Sequence, residues 1–415
     1  MAALTAPLFL PCGAGIEALL AAEVERLLPQ ARVAAQRGGV ALDGGVREVM
    51  LLNLESRLAQ RVLIEVAGRA YQHEGDLYAM ASSVDWGQWI GPHNTLRVDT
   101  TVQRSPLRSP NFAALRVKDA VCDVLRHAFG KRPNVDTRDP HLQLRLHLGA
   151  AHAALYVDSS GEPLFKRGWR QDKGDAPLKE TLAAAMLAAA GWRGTPDTGG
   201  ALHDPCCGSG TIAIEAAQIA CGVAPGLQRH FAFERLLPFA PAEVREQWQQ
   251  MQAEARARIR ASAVPLYASD VSFRMVDFAR HNAERAGVAQ AITFNGGDAL
   301  ERPAPELPVG LPGTLMINPP YGERIDVLGK AARPSAQDRH TPVDFFPRLA
   351  AHWKRAYTQT APGWTAWVLS PDMKLPNSMR LKASCRIPMW NGPIECRLFR
   401  FDLVAGSMRG AVDPQ

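Results

Sequence analysis

"ALHDPCCGSGTIAIEAA", residues 201–217, is the stretch whose reading decides the fold. An apolar run ending in Asp204 reads as a strand, the turn carries Gly208, Ser209 and Gly210, and a helix begins at Thr211. That order brings backbone N–H groups and close ligand approach to a strand end. A dinucleotide fingerprint needs glycines in the G-x-G-x-x-G pattern, and this turn lacks it. A nucleotide-like ligand without a pyrophosphate suits the turn better. S-adenosylmethionine is such a ligand: the loop amides and Asp204 can hold its amino-acid end, with Cys206, Gly208, Ser209, Gly210 and Thr211 around it.

The chain downstream extends the pattern. From Pro177 onward strands alternate with helices: "PLKETLAAAMLAAAGW" is an alanine-rich helix, and "LYASD", "ITFNGGDAL", "TLMINPP" and "TAWVLSPD" read as strands between helical stretches. Such alternation predicts a doubly wound α/β domain with a mostly parallel sheet, whose ligands sit at the carboxyl ends of the strands. "LYASD" ends on Asp270, an acid placed to accept hydrogen bonds from both ribose hydroxyls; Ser272 is the better candidate for capping the helix that follows. "FNGGDAL" supplies Asp298 for an adenine amino group and the amide of Ala299 for a ring nitrogen. Three acids at three successive strand ends form a constellation that chance rarely supplies.

"MINPPYGERI", residues 316–325, then places an amide, two prolines and an aromatic at the mouth of a buried strand. The exocyclic amine of a base is a poor nucleophile because its lone pair is delocalised into the ring. The side-chain oxygen of Asn318 and the backbone carbonyl of Pro319 can each accept one N–H and aim that lone pair at an electrophilic methyl. Pro319 and Pro320 fix φ and keep the carbonyl out of a regular ladder. Tyr321 offers a flat face for an unstacked base, worth roughly 1–3 kcal/mol. Glu323 and Arg324 can touch the base edge or the RNA backbone, or pair with each other. No general base is required, since the methylated amine is strongly acidic and sheds its proton readily.

Upstream, "LFLPCGAGIEALLAAEVERLL" and the stretch from Gly38 to Ala70 read as a small α+β unit. A second unit has strands "LRVDTTV", "LQLRLHL" and "AALYVDSS" around a helix from about Asn111 to Phe129. Arg104, Arg108, Arg116, Lys118, Arg126, Lys131 and Arg132 crowd that second unit, and such a cluster neutralises phosphates well; a solvated helix face explains the charge equally well. "PAEVREQWQQMQAEARARIRAS" is a charged amphipathic helix, read as a packed insertion before the second strand of the α/β domain. "VLGKAARPSAQDRHTP" reads as a loop and "GSMRGAVDPQ" as a disordered tail.

Composition sets outer bounds. The 415 residues are 47% hydrophobic and 21% charged, enough for two or three domains with real cores. No leader and no apolar run of membrane-spanning length is evident, so a cytoplasmic protein with no membrane partner is expected. Seven cysteines are scattered without a CxxC pair, which argues against a disulfide framework and against a metal site. The net charge of +6 permits an acidic partner without requiring one.

The chain resembles a known family: Rossmann-like class I methyltransferases fused to a THUMP domain, in the group that makes N2-methylguanosine in large-subunit ribosomal RNA. "VDTTVQRSPLRSPNFAALRVKDAV", "GKRPNVDTRDP", "LYVDSSGEPLFKRGWR", "PLKETLAAAML", "DPCCGSGT", "NPPYGER" and "WNGPIECRLFRF" carry the resemblance over nearly the whole chain. It implies an α+β ferredoxin-like region at 1–68, a THUMP RNA-binding domain at 69–160, the methyltransferase domain at 161–405 and a tail at 406–415. It also implies S-adenosylmethionine as cofactor. The implied partner is structured RNA, either large-subunit ribosomal RNA or a pre-ribosomal particle. Under it the basic cluster becomes an RNA-contacting surface, and Lys166 and Arg167 join it within the interdomain crossover "LFKRGWR", beside Phe165 and Trp169. Lys179, Glu180 and Thr181 lie beside the cofactor pocket, where simple capping of the alanine-rich helix explains them too. Some members of the group carry a second methyltransferase domain, whereas this chain stops shortly after "CRLFRF", so only the amine-methylating activity is expected. The loop from Asp326 to about Pro342 is enlarged.

Rival readings share these residues. "NPPY" serves adenine, cytosine and guanine amines alike, so a DNA adenine-N6 methyltransferase has the same motif, and a protein glutamine amide is a further acceptor. The THUMP-like half separates RNA from DNA, because no insert reading a major groove is apparent. A non-catalytic RNA-binding assembly factor would not need the three acids.

Overall fold

The computed structural model describes residues 5–174, 177–319, 345–359 and 362–404, and within them the chain divides into two compact units. The first comprises residues 1–166 and 225–257, and the second the remainder.

The first unit is built on one eight-stranded sheet. Its strands are β1 (Thr5–Pro11), β2 (Ala34–Gln36), β3 (Gly39–Gly45), β4 (Leu63–Ala70), β5 (Thr95–Val102), β6 (Asn134–Val135), β7 (Leu142–Leu148) and β8 (His152–Asp158). They lie in the order β2-β3-β1-β4-β8-β7-β5-β6. The two small α+β units expected from the sequence therefore share a sheet, joined where β4 pairs antiparallel with β8 and with β1. Helices α1 (Glu17–Leu27), α2 (Val46–Glu55), α3 (Glu74–Ser82) and α4 (Pro110–Phe129) complete this part. Helix α4 starts where its sequence says it must. The Ser109 hydroxyl accepts from the Phe112 N–H, Pro110 occupies the first turn, and Gly130 ends the helix at φ +70°.

The second unit opens with α5 (Glu180–Ala189), then β9 (Ala201–Asp204) and α6 (Thr211–Ala220). At Pro225 the chain leaves for the first unit, where it forms α7 (Ala242–Ala257), and it returns at Arg258. The charged helix read as an insertion in the α/β domain thus packs with the other unit, for an identifiable reason. Its segment carries Phe231, Phe233, Phe239 and Trp248, which bury one another at centroid separations of 4.9–5.9 Å. Arg229 then ties the segment down by donating to the carbonyls of Glu162, Pro163 and Lys166. Gly226 is required there: an added Cβ would lie 2.6 Å from the Asn53 carbonyl oxygen.

Strands β10 (Leu266–Asp270), β11 (Ile292–Gly296), β12 (Gly313–Ile317) and β13 (Trp364–Ser370) follow, with α8 (Phe273–Arg285), α9 (Phe345–Ala356) and α10 (Leu375–Met379). A hairpin of β14 (Cys385–Asn391) and β15 (Ile394–Leu403) closes the sheet. The order is β11-β10-β9-β12-β13-β15-β14, with parallel pairing from β11 through β13 and β15 antiparallel to both its neighbours. Strand order reverses between β9 and β12, so the ligand crevice of a doubly wound sheet falls at their carboxyl ends. One core of Leu315, Ile317, Leu349, Trp353, Tyr357, Val368 and Phe399 backs that edge.

Candidate active site

Asp204 ends β9 and is buried, with Oδ1 accepting the Cys206 N–H at 3.2 Å. Burial pushes its carboxyl well above the ordinary range; the charge of Asp270 pushes the same way, and the Cys206 amide opposes. Asp270 ends β10. Its Oδ2 accepts from Gly208 N at 2.9 Å and its Oδ1 from Ser272 N at 2.9 Å, which ties the glycine turn to the second strand end. Its pKa is also raised, by burial against the pull of those two amides. A carboxylate with one amide on each oxygen still has a lone pair per oxygen for hydroxyl donors. Ser272 stands at the N-cap position of α8, yet its side chain makes no capping bond; the acid two residues earlier takes the Ser272 amide instead.

Asp298 follows β11 and accepts from Leu300 N at 2.9 Å. The Cys206 thiol registers all three acids: it is raised well above its ordinary value by burial and then by Asp204, Asp270 and Asp298 in turn. The three acids thus stand at or just after the ends of β9, β10 and β11.

The turn is shaped for approach. Gly208 and Gly210 adopt φ of +52° and +89°. A Cβ at Gly210 would meet Ala279 of α8 at 2.9 Å, so glycine allows turn and helix to close up; at Gly208 a Cβ would meet nothing within 4 Å, so that glycine faces open space beside Asp270. Ser209 and Thr211 are buried, and both hydroxyls accept from the Arg170 guanidinium at 2.8 Å.

Register places Asn318 in the same crevice. Leu315 of β12 pairs parallel with His203 of β9, so Asn318, just after β12, lies at the same carboxyl edge of the sheet as Asp204. Asn318 Oδ1 is buried and has no hydrogen-bond partner among the described residues. A buried acceptor left alone costs about 1–3 kcal/mol, which a ligand donor would relieve. Pro319 is buried beside it, while Pro320, Tyr321, Glu323, Arg324 and the loop 326–342 lie outside the described residues. Beneath the strand ends, buried His203 links Ser269 Oγ and Tyr357 Oη at 3.2 and 3.1 Å, and burial pushes its pKa down to about 3. It is a neutral core residue.

The basic residues separate into groups. Arg104 and Arg108 are exposed on the loop before α4. Arg116 stacks on Tyr78 with 4.9 Å to the ring centroid, Lys118 and Arg132 both reach Asp119, Arg126 pairs with Asp123, and Lys131 lies 3.2 Å from His93. Lys166 is exposed and pairs with Glu162. Arg167 corrects the sequence reading: it is 2% exposed, and its guanidinium donates to both oxygens of Glu215 on α6, so it has no surface with which to meet RNA. Glu180 is no simple dipole cap either, because it is buried and accepts from Arg170 Nε at 2.7 Å.

Two residues went unnoticed in the sequence. Arg170 gathers Ser209, Thr211, Glu180 and the Leu178 carbonyl. Asn282 of α8, fully buried, donates to the carbonyls of Ser209 and Asp172 and accepts from Gln171 N. The tryptophan-flanked "RGWR" was the available signal for the first; a lone asparagine in a helix gave none for the second. Among the described residues no group of three or more His, Cys, Asp or Glu could hold a metal, and no helix is long and apolar enough to cross a membrane.

Strand order, reversal point and strand-end acids together define the class I methyltransferase fold. Residues 167–400 match the family described as RMKL-like, methyltransferase domain; residues 71–158 match the THUMP domain and residues 7–63 the RlmL ferredoxin-like domain. The chain belongs to that RMKL-like methyltransferase-domain family. It is 36% identical over 405 residues to a ribosomal RNA large subunit methyltransferase K/L of Syntrophotalea carbinolica, covering 97% of this chain and 54% of that protein. The chain thus spans about half the length of the curated relatives it matches. Among solved structures, SMU.472, a candidate methyltransferase complexed with SAH, superposes with a TM-score of 0.82 at 25% identity, covering 99% of this chain and 100% of the other. A predicted N6-adenine-specific DNA methylase from Listeria monocytogenes gives 0.80 at 26% identity, with 96% of each chain covered.

Proposed function

We propose that this chain transfers a methyl group from S-adenosylmethionine to an exocyclic base amine of RNA, with guanine N2 of large-subunit ribosomal RNA as the acceptor. The observation that carries the reading is Asn318 Oδ1, a buried acceptor without a partner among the described residues, at the carboxyl edge of the sheet where β9 ends in Asp204. The bound cofactor supplies an electrophilic methyl on sulfur. With the cofactor bound, Asn318 Oδ1 and the Pro319 carbonyl would accept hydrogen bonds from the two amine N–H groups and present the nitrogen lone pair; the nitrogen would take the methyl, the sulfur would keep the electron pair of the broken carbon–sulfur bond, and one amine proton would pass to solvent. Asp270 receives the ribose hydroxyls, Asp298 the adenine amino group and the Ala299 amide a ring nitrogen. Open space at Gly208 beside the Asp270 carboxyl fits a nucleoside ligand, as does the SAH-bound neighbour. Residues 1–68 and 69–160 serve as ferredoxin-like and RNA-holding parts, and residues 161–405, apart from the excursion 225–257 into the first unit, as the catalytic part. Arg104, Arg108, Arg116, Lys118, Lys131, Arg132 and Lys166 form the RNA-facing set.

The THUMP match and the relatives named for ribosomal RNA favour RNA over DNA. The amine reaches Asn318 only from a single-stranded or flipped nucleotide, so the substrate is an unfolded or pre-assembly RNA. Incubation with methyl-labelled cofactor and protein-free ribosomal RNA, followed by nucleoside analysis, tests this. Label is expected in N2-methylguanosine and should fall by about 10²-fold or more in Asn318→Ala, the scale set by removing one preorganised polar group from a reaction centre. Label in N6-methyladenosine, or transfer to DNA alone, would overturn the acceptor.

A further inference from the structure

The segment Arg167–Lys173 is strapped to the cofactor turn at several points, and the proposed chemistry leaves it without a task. Arg170, with its side chain 14% exposed, donates Nη1–H to Ser209 Oγ at 2.8 Å, Nη2–H to Thr211 Oγ1 at 2.8 Å and to the Leu178 carbonyl at 3.4 Å, and Nε–H to Glu180 Oε1 at 2.7 Å. These bonds occupy four of the five guanidinium donors. The guanidinium also stacks on Trp169, 4.9 Å from the ring centroid.

Its place is fixed from behind. Asn282 Nδ2 bridges the Asp172 and Ser209 carbonyls at 2.8 and 3.0 Å, while its Oδ1 accepts from Gln171 N and from Arg285 Nη2. Arg285 in turn donates to the Trp169 carbonyl and pairs with Asp172. Strap and turn are thereby locked to α8 through side chains about 110 residues away.

A hydroxyl has one donor hydrogen and two acceptor lone pairs. When its oxygen accepts from a guanidinium, the hydrogen must point away from that cation. The buried hydroxyls of Ser209 and Thr211 are thus held as donors facing away from Arg170, at the start of α6, where the positive end of the helix dipole adds to them. Two oriented O–H donors at a helix start suit an anion. Glu180 offsets the charge of Arg170, so what the guanidinium contributes is direction.

We infer that Arg170 is a positioning residue that orients Ser209 and Thr211 to receive the carboxylate of the cofactor's amino-acid end. The inference rests on S-adenosylmethionine being the cofactor. Two ligands sharing the adenosine and thioether separate the roles: S-adenosylhomocysteine, which has the amino-acid end, and 5′-methylthioadenosine, which lacks it. In calorimetric titrations of the full chain, Arg170→Met is expected to weaken S-adenosylhomocysteine binding about 10-fold or more, as loss of a charged hydrogen-bond network does, and to shift methylthioadenosine by less than about 2-fold. Arg170→Lys should fall between wild type and Arg170→Met. Equal loss for both ligands would reduce Arg170 to a brace for the turn and overturn the inference, as would no loss for either. If Arg170→Met fails to fold, Thr211→Val, which keeps the side-chain shape, should give the same selective loss; its absence would equally sink the idea. Wild-type protein that binds neither ligand would refute the cofactor reading itself, an outcome distinct from the others.

Discussion

The arginines on and just after α4 and those of the "RGWR" strap look alike in sequence and behave as different residues. Arg126 and Arg132 of the first unit are exposed and meet Asp123 and Asp119 across the surface, where solvent screens each pair. Arg167 of the second unit is buried and Arg170 mostly so, and their partners Glu215 and Glu180 are buried. A surface cation remains available to a polyanion because its own acids hold it weakly. A buried one is committed, since losing its partner would strand a charge away from water. Burial, which charge counting does not see, decides which arginines stay open to a polyanion and which brace the glycine turn.

Substitutions can break that contrast in order of effect. Arg167→Met should cost about 3–5 kcal/mol of stability by orphaning Glu215, read in urea unfolding, and Arg167→Met with Glu215→Leu should recover much of it. A loss below about 1 kcal/mol would mean that water reaches the pair. Arg116→Glu with Lys118→Glu should weaken RNA binding about 10-fold at low salt, flatten its salt dependence and leave S-adenosylhomocysteine affinity unchanged. Unchanged RNA affinity would return α4 to the status of a solvated face. Smallest of all, Arg126→Ala should move stability by less than about 1 kcal/mol, because the Asp123 pair is exposed.

Much of the catalytic unit was legible because its signals are local. The glycine turn, the acids at strand ends and the asparagine after β12 sit within a few residues of the features that identify them. Helix α4, read from about Asn111 to Phe129, runs from Pro110 to Phe129. What escaped was long-range. Asn282 acts on residues some 110 positions earlier, and nothing in its own helix marks it. Arg167 was placed with the RNA contacts because only the fold reveals Glu215 beside it. The charged helix of residues 241–262 looked like an insertion in the α/β domain, since the partners that claim the segment leading into it, such as Ser159 and Glu162, are far upstream.

That excursion has a consequence for anyone who would dissect the molecule. The backbone passes between the two units at Lys166–Arg167, again at Ala224–Pro225 and a third time at Ala257–Arg258. One protease nick in any of these joints leaves the halves tethered by the other two. A gene fragment beginning at Arg167 would carry Phe231, Phe233, Phe239 and Trp248 away from the scaffold that receives them, offering a sticky aromatic surface instead of a clean catalytic domain. The THUMP-containing half would in turn lack a piece of its own fold. The two halves are therefore interlaced as a gene, and recombination could exchange neither one as a simple cassette.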